Sequence, residues 1–444
     1  MQKALLVRVV TVGLLMLLLL IPLALIQGVV IERQFHQQQV AQTVTESTAG
    51  AQRITAPLLI IPYVLRETVK STDAKGKSTQ QIFEHKKRVV LVAAAARYTG
   101  QADVETKYKG IYKVLTYKNK GGWKASFDVP RHAGLDIAKS DIRFDDAYVA
   151  MGIADLRGLV GAPTVTWQGS ALNFANGTEI NAIGSGLHAM IGDLNSDSAK
   201  RYEVEIDLSL NGSNALSFVP LGKLTSVALR SAWPHPNFSG QYLPLNKTID
   251  ESGFSANWEV SHLASRNTSV LHESRDSKAE SAPAAQFESF NVSFIEPVNI
   301  YQQVERAVKY GILFIALTFA CFFIFEMMTG LRLHAMQYGL VGLALAIFFL
   351  LLISVTEHVP FWAAYLLASV ASVALIGSYL SSVLGSKKRG LIFAASLATL
   401  YATLFGILLS EDNALLMGSI LLFVVLATVM LLTKKLNWYA IGQA

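Results

Sequence analysis

Val9-Val10-Thr11-Val12-Gly13-Leu14-Leu15-Met16-Leu17-Leu18-Leu19-Leu20-Ile21-Pro22, running on to Ile31, is the stretch on which the fold turns. A hydrocarbon core about 30 Å thick needs roughly 20 mostly apolar residues of helix to cross it, and this run is long enough. Five more apolar runs crowd the C-terminal part, at residues 311–328, 338–355, 361–383, 391–409 and 414–432. A long polar stretch separates the first run from the others. The pattern is that of an integral membrane protein of α+β class. Six transmembrane helices are expected, one N-terminal and five C-terminal, with a large water-facing domain between the first and the second.

Lys3 and Arg8 precede the first run, as they would in a secretory signal. A signal's apolar region is only about 7 to 15 residues long and ends at a small-x-small site. Here the run is longer and Glu32-Arg33-Gln34-Phe35 follows it, so the segment reads as an uncleaved anchor. Pro22 is tolerated inside such a helix.

Orientation follows from the placement of Lys and Arg between spans. The connectors alternate: Arg332 and His334, then Glu357-His358, then Lys387-Lys388-Arg389, then Glu411-Asp412, and finally Lys434-Lys435. Together with Lys3 and Arg8 they agree on one topology. The expected organisation is a cytoplasmic N-terminus (1–8), a first span (9–31), a domain across the membrane (32–308), a five-helix bundle (309–433) and a cytoplasmic C-terminus (434–444).

The 52% hydrophobic and 16% charged residues are the average of a greasy half and an ordinary polar half. A pI near 9.1 would point to nucleic acid in a soluble protein. Much of the excess basic charge, however, lies in the connectors, and no basic stripe interleaved with aromatics is present, so no nucleic-acid partner is expected. The bilayer itself is the first partner implied. Cys321 is the single cysteine and lies within a span, where packing is the expected role, so the water-facing domain must fold without a disulfide. The triplets Asn176-Gly177-Thr178 and Asn246-Lys247-Thr248 would matter only in a eukaryotic secretory protein.

Residues 32–308 read as strand. Tyr202-Glu203-Val204-Glu205-Ile206-Asp207-Leu208-Ser209-Leu210 puts apolar residues on one face and polar residues on the other. Residues 123–129 and 290–294 alternate likewise. Such one-sided strands imply antiparallel sheet packed on a core. Asn119-Lys120-Gly121-Gly122 and Asn211-Gly212-Ser213-Asn214 carry turn chemistry. Few helices are expected there: residues 31–47, Gln-rich, as a stalk prolonging the first span, while 262–285, poor in apolar residues, reads as a loop. No repeat period stands out, and five C-terminal spans do not divide into equal halves, which argues against an inverted-repeat transporter.

The search for chemistry finds little. Gly76-Lys77-Ser78 resembles the tail of a phosphate loop, but Ser71 stands where its first glycine is needed. Gly184-Ser185-Gly186 lacks the spacing of a nucleophile elbow and reads as a turn. The histidines of the domain, at 36, 85, 132, 188, 235, 262 and 272, show no i, i+4 pair of the helical zinc type. Within Trp233-Pro234-His235-Pro236 two prolines fix the backbone beside the imidazole, a stiff turn capped by Trp233. Glu326 is the exceptional charge inside a span; close to the boundary, it reads as an interfacial anchor within reach of Arg332. No catalytic, cofactor-binding or metal-binding residue is assigned, and no cofactor is implied.

Ser231-Ala232-Trp233-Pro234-His235-Pro236-Asn237-Phe238-Ser239-Gly240, Leu243-Pro244, Gly253-Phe254-Ser255-Ala256-Asn257-Trp258, the run from Ala307 to Phe319, Phe325-Glu326, Leu333-His334-Ala335-Met336-Gln337-Tyr338, residues 354–358 and Asn437-Trp438-Tyr439 form an ordered set of landmarks. Together they resemble the CreD family of Gram-negative inner-membrane proteins. The resemblance implies an envelope-integrity component linked to β-lactam and colicin responses, multi-pass in the inner membrane, with the β-rich domain in the periplasm. It transfers no catalytic residue. Two function classes follow: a non-enzymatic protein whose periplasmic β domain contacts envelope proteins, lipid or cell wall, or a transporter or membrane enzyme with its site where domain and bundle join.

Overall fold

The computed structural model describes residues 2–72, 78–135, 142–194, 198–276, 287–296, 300–329, 334–409 and 414–433. The chain divides into two compact units, Met1–Gln39 with Val298–Ala444, and Val40–Pro297. The helices in chain order are α1 (Gln2–Ser47), α2 (Asn267–Asp276), α3 (Ile300–Lys309), α4 (Gly311–Thr329), α5 (Ala335–Thr356), α6 (Phe361–Val383), α7 (Lys387–Leu409) and α8 (Ala414–Thr433).

The N-terminal apolar run and the Gln-rich stretch after it form one helix, α1, of 46 residues with Pro22 inside it. Among the described residues four helices are long and apolar enough to cross a membrane, and five if α3 and α4, bent by 42°, make one broken span. The expectation of six is thus met by four or five, and α8 takes up the sixth run as a helix of 20 residues. Residues 300–309, of which 300–308 fall in the water-facing domain by the sequence reading, form the amphipathic α3. Its Val304, Ala307 and Val308 join Leu23, Ile26 and Val30 in the core of the helical unit. The stretch is short and half polar, so a hydropathy reading passes over it, whereas its 3–4 spacing builds one apolar stripe.

Aromatic rings fill the middle of this unit. Phe314 and Phe348 stand 4.5 and 4.6 Å from the ring of Tyr401, whose backbone carbonyl accepts a 2.8 Å hydrogen bond from the Tyr365 hydroxyl. Gly342 lets Leu19 and Phe319 press against the backbone of α5. Close approach of this kind, more than solvent exclusion, holds helices together in lipid. The start of α5 is fixed by a capping box: the His334 ring accepts from the Met336 amide, and the Gln337 side chain accepts from the His334 amide.

The second unit is built of strands in three sheets. The largest has eight, in the order Asn246–Asp250, Gly253–Ser261, Leu224–Ser231, Ala95–Lys109, Tyr112–Val129, Lys200–Ser213, Thr164–Trp167 and Ser170–Leu172. A six-stranded sheet carries the long hairpin Leu58–Thr72 and Ser78–Val92 at one edge. A four-stranded sheet runs in the order Gln52–Thr55, Ala215–Val219, Phe290–Phe294 and Pro236–Gly240. Alternation works as the sequence implies: Tyr202, Val204, Ile206, Leu208 and Leu210 are buried while Glu203, Glu205 and Asp207 are exposed. Tyr98, Trp123, Phe218, Phe290 and Trp258 form the aromatic centre of the core.

Three expectations are corrected. The sheets are not wholly antiparallel, because Leu224–Ser231 runs parallel to Ala95–Lys109 and Gln52–Thr55 parallel to Ala215–Val219. Residues 119–122 are no turn but the middle of the strand Tyr112–Val129; a side chain on Gly121 would meet the Thr99 carbonyl and the Tyr98 hydroxyl at 2.6 Å, so glycine serves close packing there. In the second suspected turn, Asn211 to Ser213 continue a strand, and the reversal falls on Asn214, with φ +63°. Lastly, residues 262–276 hold a 3₁₀ turn and α2 rather than a plain loop. Buried Asn267 pins them by donating to the carbonyls of Pro220 and Glu288 and accepting from the Glu288 amide.

Candidate functional site

The charged residues of the helical unit come first, since an ionised group in lipid needs a reason to be there. Glu326 on α4 is only 7% exposed, and Tyr338, in the first turn of α5, donates to its carboxylate at 2.8 Å. Its carboxylate is thus hydrogen-bonded between α4 and α5, close to the connector beside which the sequence sets it as an interfacial anchor. Arg332, its expected partner, lies outside the described residues. The sequence shows Glu326 as unusual, but only the helix pairing brings Tyr338 to it.

At the far end of α5 a second polar set forms. Arg33 of α1 lies 3.3 Å from Glu357, which closes α5, and Gln34 donates to Glu305 of α3 at 2.9 Å. Lys309, one turn on, stands 2.7 Å from the same Glu305. These contacts join α1, α3 and the α5–α6 turn at one level. Their members look like ordinary flanking charges in the sequence, and nothing there pairs them. Cys321 is exposed on α4, so it faces outward instead of packing in the core.

In the β-rich unit the Trp233–Pro236 stretch is a rigid surface turn. The Trp233 indole donates to the carbonyls of both His235 and Ile295 at 3.2 Å, and the His235 ring stands exposed, 6.1 Å from it and nearly perpendicular. Other histidines are engaged locally. His188 donates through Nδ1 to the Gly177 carbonyl at 2.7 Å, His262 likewise to Lys223 at 3.1 Å, and His36 and His85 face Glu32 and Glu67. Among the described residues no three His, Cys, Asp or Glu side chains converge on a metal position. Ser185 sits in an exposed loop, and Gly76 and Lys77 lie outside the described residues.

The tightest polar node of this unit was not evident in the sequence. Arg157 donates to Asp155 through Nε at 2.9 Å and Nη2 at 2.7 Å, while its Nη1 holds the Glu46 carbonyl at 2.8 Å. The Gly50 amide adds a bond to the carboxylate, and Gln52 bridges the carbonyls of Asp155 and Asn211. The guanidinium beside it holds the Asp155 carboxyl down to about 2. The node ties the last turn of α1 to the first strand, a structural role.

Comparison with known proteins adds what geometry does not. The family model described as Inner membrane protein CreD matches residues 4–439. Inner membrane protein CreD of Escherichia coli (strain K12) is 36% identical over 428 residues, 96% of this chain and 91% of that protein. Among solved structures, the M1 zinc metallopeptidase of Deinococcus radiodurans is 5% identical at a TM-score of 0.21, over 46% of this chain and 42% of its own. Native yeast LTA4 hydrolase is 8% identical at 0.21, over 51% and 35%. The chain thus spans less than half of either enzyme, and likeness at that level carries no argument.

Proposed function

The chain belongs to the CreD family of inner membrane proteins, and we propose that it is a non-enzymatic component of the bacterial inner membrane that supports envelope integrity and tolerance of antibiotics or colicins. In this reading six helices cross the bilayer, both termini are cytoplasmic, and the β-rich unit works in the periplasm as a contact surface for envelope proteins, lipid or cell wall. The observation that carries it is the family match over nearly the whole chain, helices and β-rich unit alike. The alternation of basic and acidic connectors supports the orientation. So does the Arg33–Glu357 pair, which sets the end of the first span level with the α5–α6 turn.

A strain lacking the protein should become sensitive to detergents or cell-wall stress. Alanine scanning of polar residues in the β-rich unit for rescue of that sensitivity tests the reading. Damage spread over patches, the exposed ridge at His235 among them, is the expected result. Two or three isolated, convergent polar residues whose loss abolishes rescue at normal protein level would instead indicate an active site. The buried carboxylate of Glu326 favours a second reading, a transporter. That reading gains if Glu326→Gln abolishes rescue while the protein remains folded and abundant.

A further inference from the structure

The long hairpin Leu58–Thr72 and Ser78–Val92 carries a dense set of charges, and some of them meet across its two strands. Arg66 pairs with Glu84 at 3.0 Å, His85 faces Glu67 at 3.5 Å, and on the neighbouring strand Arg143 pairs with Asp145 at 3.3 Å. Three consecutive cations, Lys86, Lys87 and Arg88, break the pattern. Among the described residues none of them stands in an ion pair with a carboxylate. All three line one cleft of about 600 Å³, with Pro62, Tyr63, Tyr148 and Glu179.

The walls of that cleft are held in place. Arg88 donates through Nη1 to the Glu179 carbonyl, and its guanidinium lies beside the Tyr148 hydroxyl. Tyr148 is fixed in turn by the His188 ring, 5.7 Å away edge-on. Tyr63 is 3% exposed and packs on Phe144 at 6.3 Å, yet its hydroxyl takes no partner among the described residues. With its ring buried and its hydroxyl open on the cleft, Tyr63 offers a polar group to whatever the cleft holds. Lysines on an edge strand also discourage stray strand pairing. That explains exposed Lys86 and Lys87, but neither the anchored guanidinium nor the open hydroxyl.

The charge of the cleft points to the chemistry of its ligand. Three cations against the carboxylate of Glu179 leave a formal +2. A phosphate monoester, about −1.5 to −2 at neutral pH with three acceptor oxygens, meets that sum, whereas a single carboxylate leaves a cation unmatched. The volume falls within the roughly 300–1,000 Å³ of small-molecule sites, far more than one phosphate fills, and its lining is mostly polar. We propose that this cleft binds a phosphate group carried on a polar, sugar-like body, whether free in solution or as a lipid headgroup. The proposal rests on the reading of the β-rich unit as a contact surface for envelope components, and it names the chemistry of one such component.

The test uses the full chain in phosphatidylcholine nanodiscs. In one arm glucose 6-phosphate is titrated calorimetrically beside glucose and glucuronate; in the other, co-flotation is measured with phosphatidylcholine vesicles containing phosphatidic acid. Glucose 6-phosphate binding that weakens at least about tenfold in K86Q/K87Q and about threefold to tenfold in Tyr63→Phe would support the site with a soluble ligand. Co-flotation abolished by K86Q/K87Q would support it with a lipid headgroup. Binding in neither arm, binding unchanged in both variants, or glucuronate binding as tightly as the phosphate would overturn it. The exposed position of both lysines keeps the double variant foldable, and circular dichroism confirms it. Failure here leaves the envelope reading standing, because that is judged by the deletion strain; a deletion strain without sensitivity removes the envelope reading and leaves measured binding intact.

Discussion

Single residues settle less of this protein than its patterns do, and the Asp155–Arg157 node shows why. Both are polar residues two apart in a stretch with no visible periodicity, and only folding gives them the Gly50 amide and the Glu46 carbonyl as partners. Because the folded carboxyl titrates at about 2, below an unfolded value near 4, its contribution to stability is complete above about pH 4. It is lost as pH falls through about 2. Asp155→Asn should therefore lower the denaturation midpoint at pH 7, and the gap to the wild type should narrow between about pH 4 and pH 2; a gap independent of pH would show that the ion pair is not its source. Glu326 was legible as an anomaly but not as a buried group, since burial depends on Tyr338 arriving from another helix. The run Lys86-Lys87-Arg88 carries no motif that marks it in the sequence. What could not be read was that its neighbours are neutralised and it is not.

At the scale of elements, two periods carried most of the fold. The 20-residue apolar runs became helices, and period-two alternation became strands whose buried and exposed faces fall where the residues place them. Misreadings came where one residue type has two uses. Glycine supplies turns through positive φ, but it also permits close backbone approach, and at Gly121 the second use applies. Gly121→Ala should cost more than about 2 kcal/mol in chemical denaturation, because the Thr99 carbonyl and Tyr98 hydroxyl must move. Gly110→Ala, at an open hairpin end with φ +63°, should cost only about 1 kcal/mol. Equal costs at the two sites would mean that packing is not what selects glycine at position 121. The helix α2 was hidden for a related reason: its hold comes from Asn267 reaching distant carbonyls, which no local pattern announces.

For the whole molecule, the β-rich unit gathers one continuous core from Ile54 to Phe294 without a residue of the apolar helices. A fragment of residues 40–297 should therefore fold in solution, with a strand-dominated circular dichroism spectrum. A helical or disordered spectrum would show that the spans complete the domain. The proposed topology is checked by single cysteines in a Cys321→Ser background: one at His358 should react with an impermeant thiol reagent from the periplasmic side, and one at Ser386 should not. Labelling of Ser386 from outside would reverse the orientation. The order of the four-stranded sheet also bears on how the protein is made. Its first strand, Gln52–Thr55, and its late strand, Phe290–Phe294, flank the same neighbour, Ala215–Val219. At about 5–20 residues per second the ribosome needs on the order of 10–50 s to travel from the first to the last. Gln52–Thr55 waits without its partner until Ala215–Val219 emerges, and for the last 70 or so residues, roughly 4–14 s at that rate, the far edge of Ala215–Val219 stands bare, so slowed synthesis or a stalled nascent chain exposes the unit to misassembly at that seam.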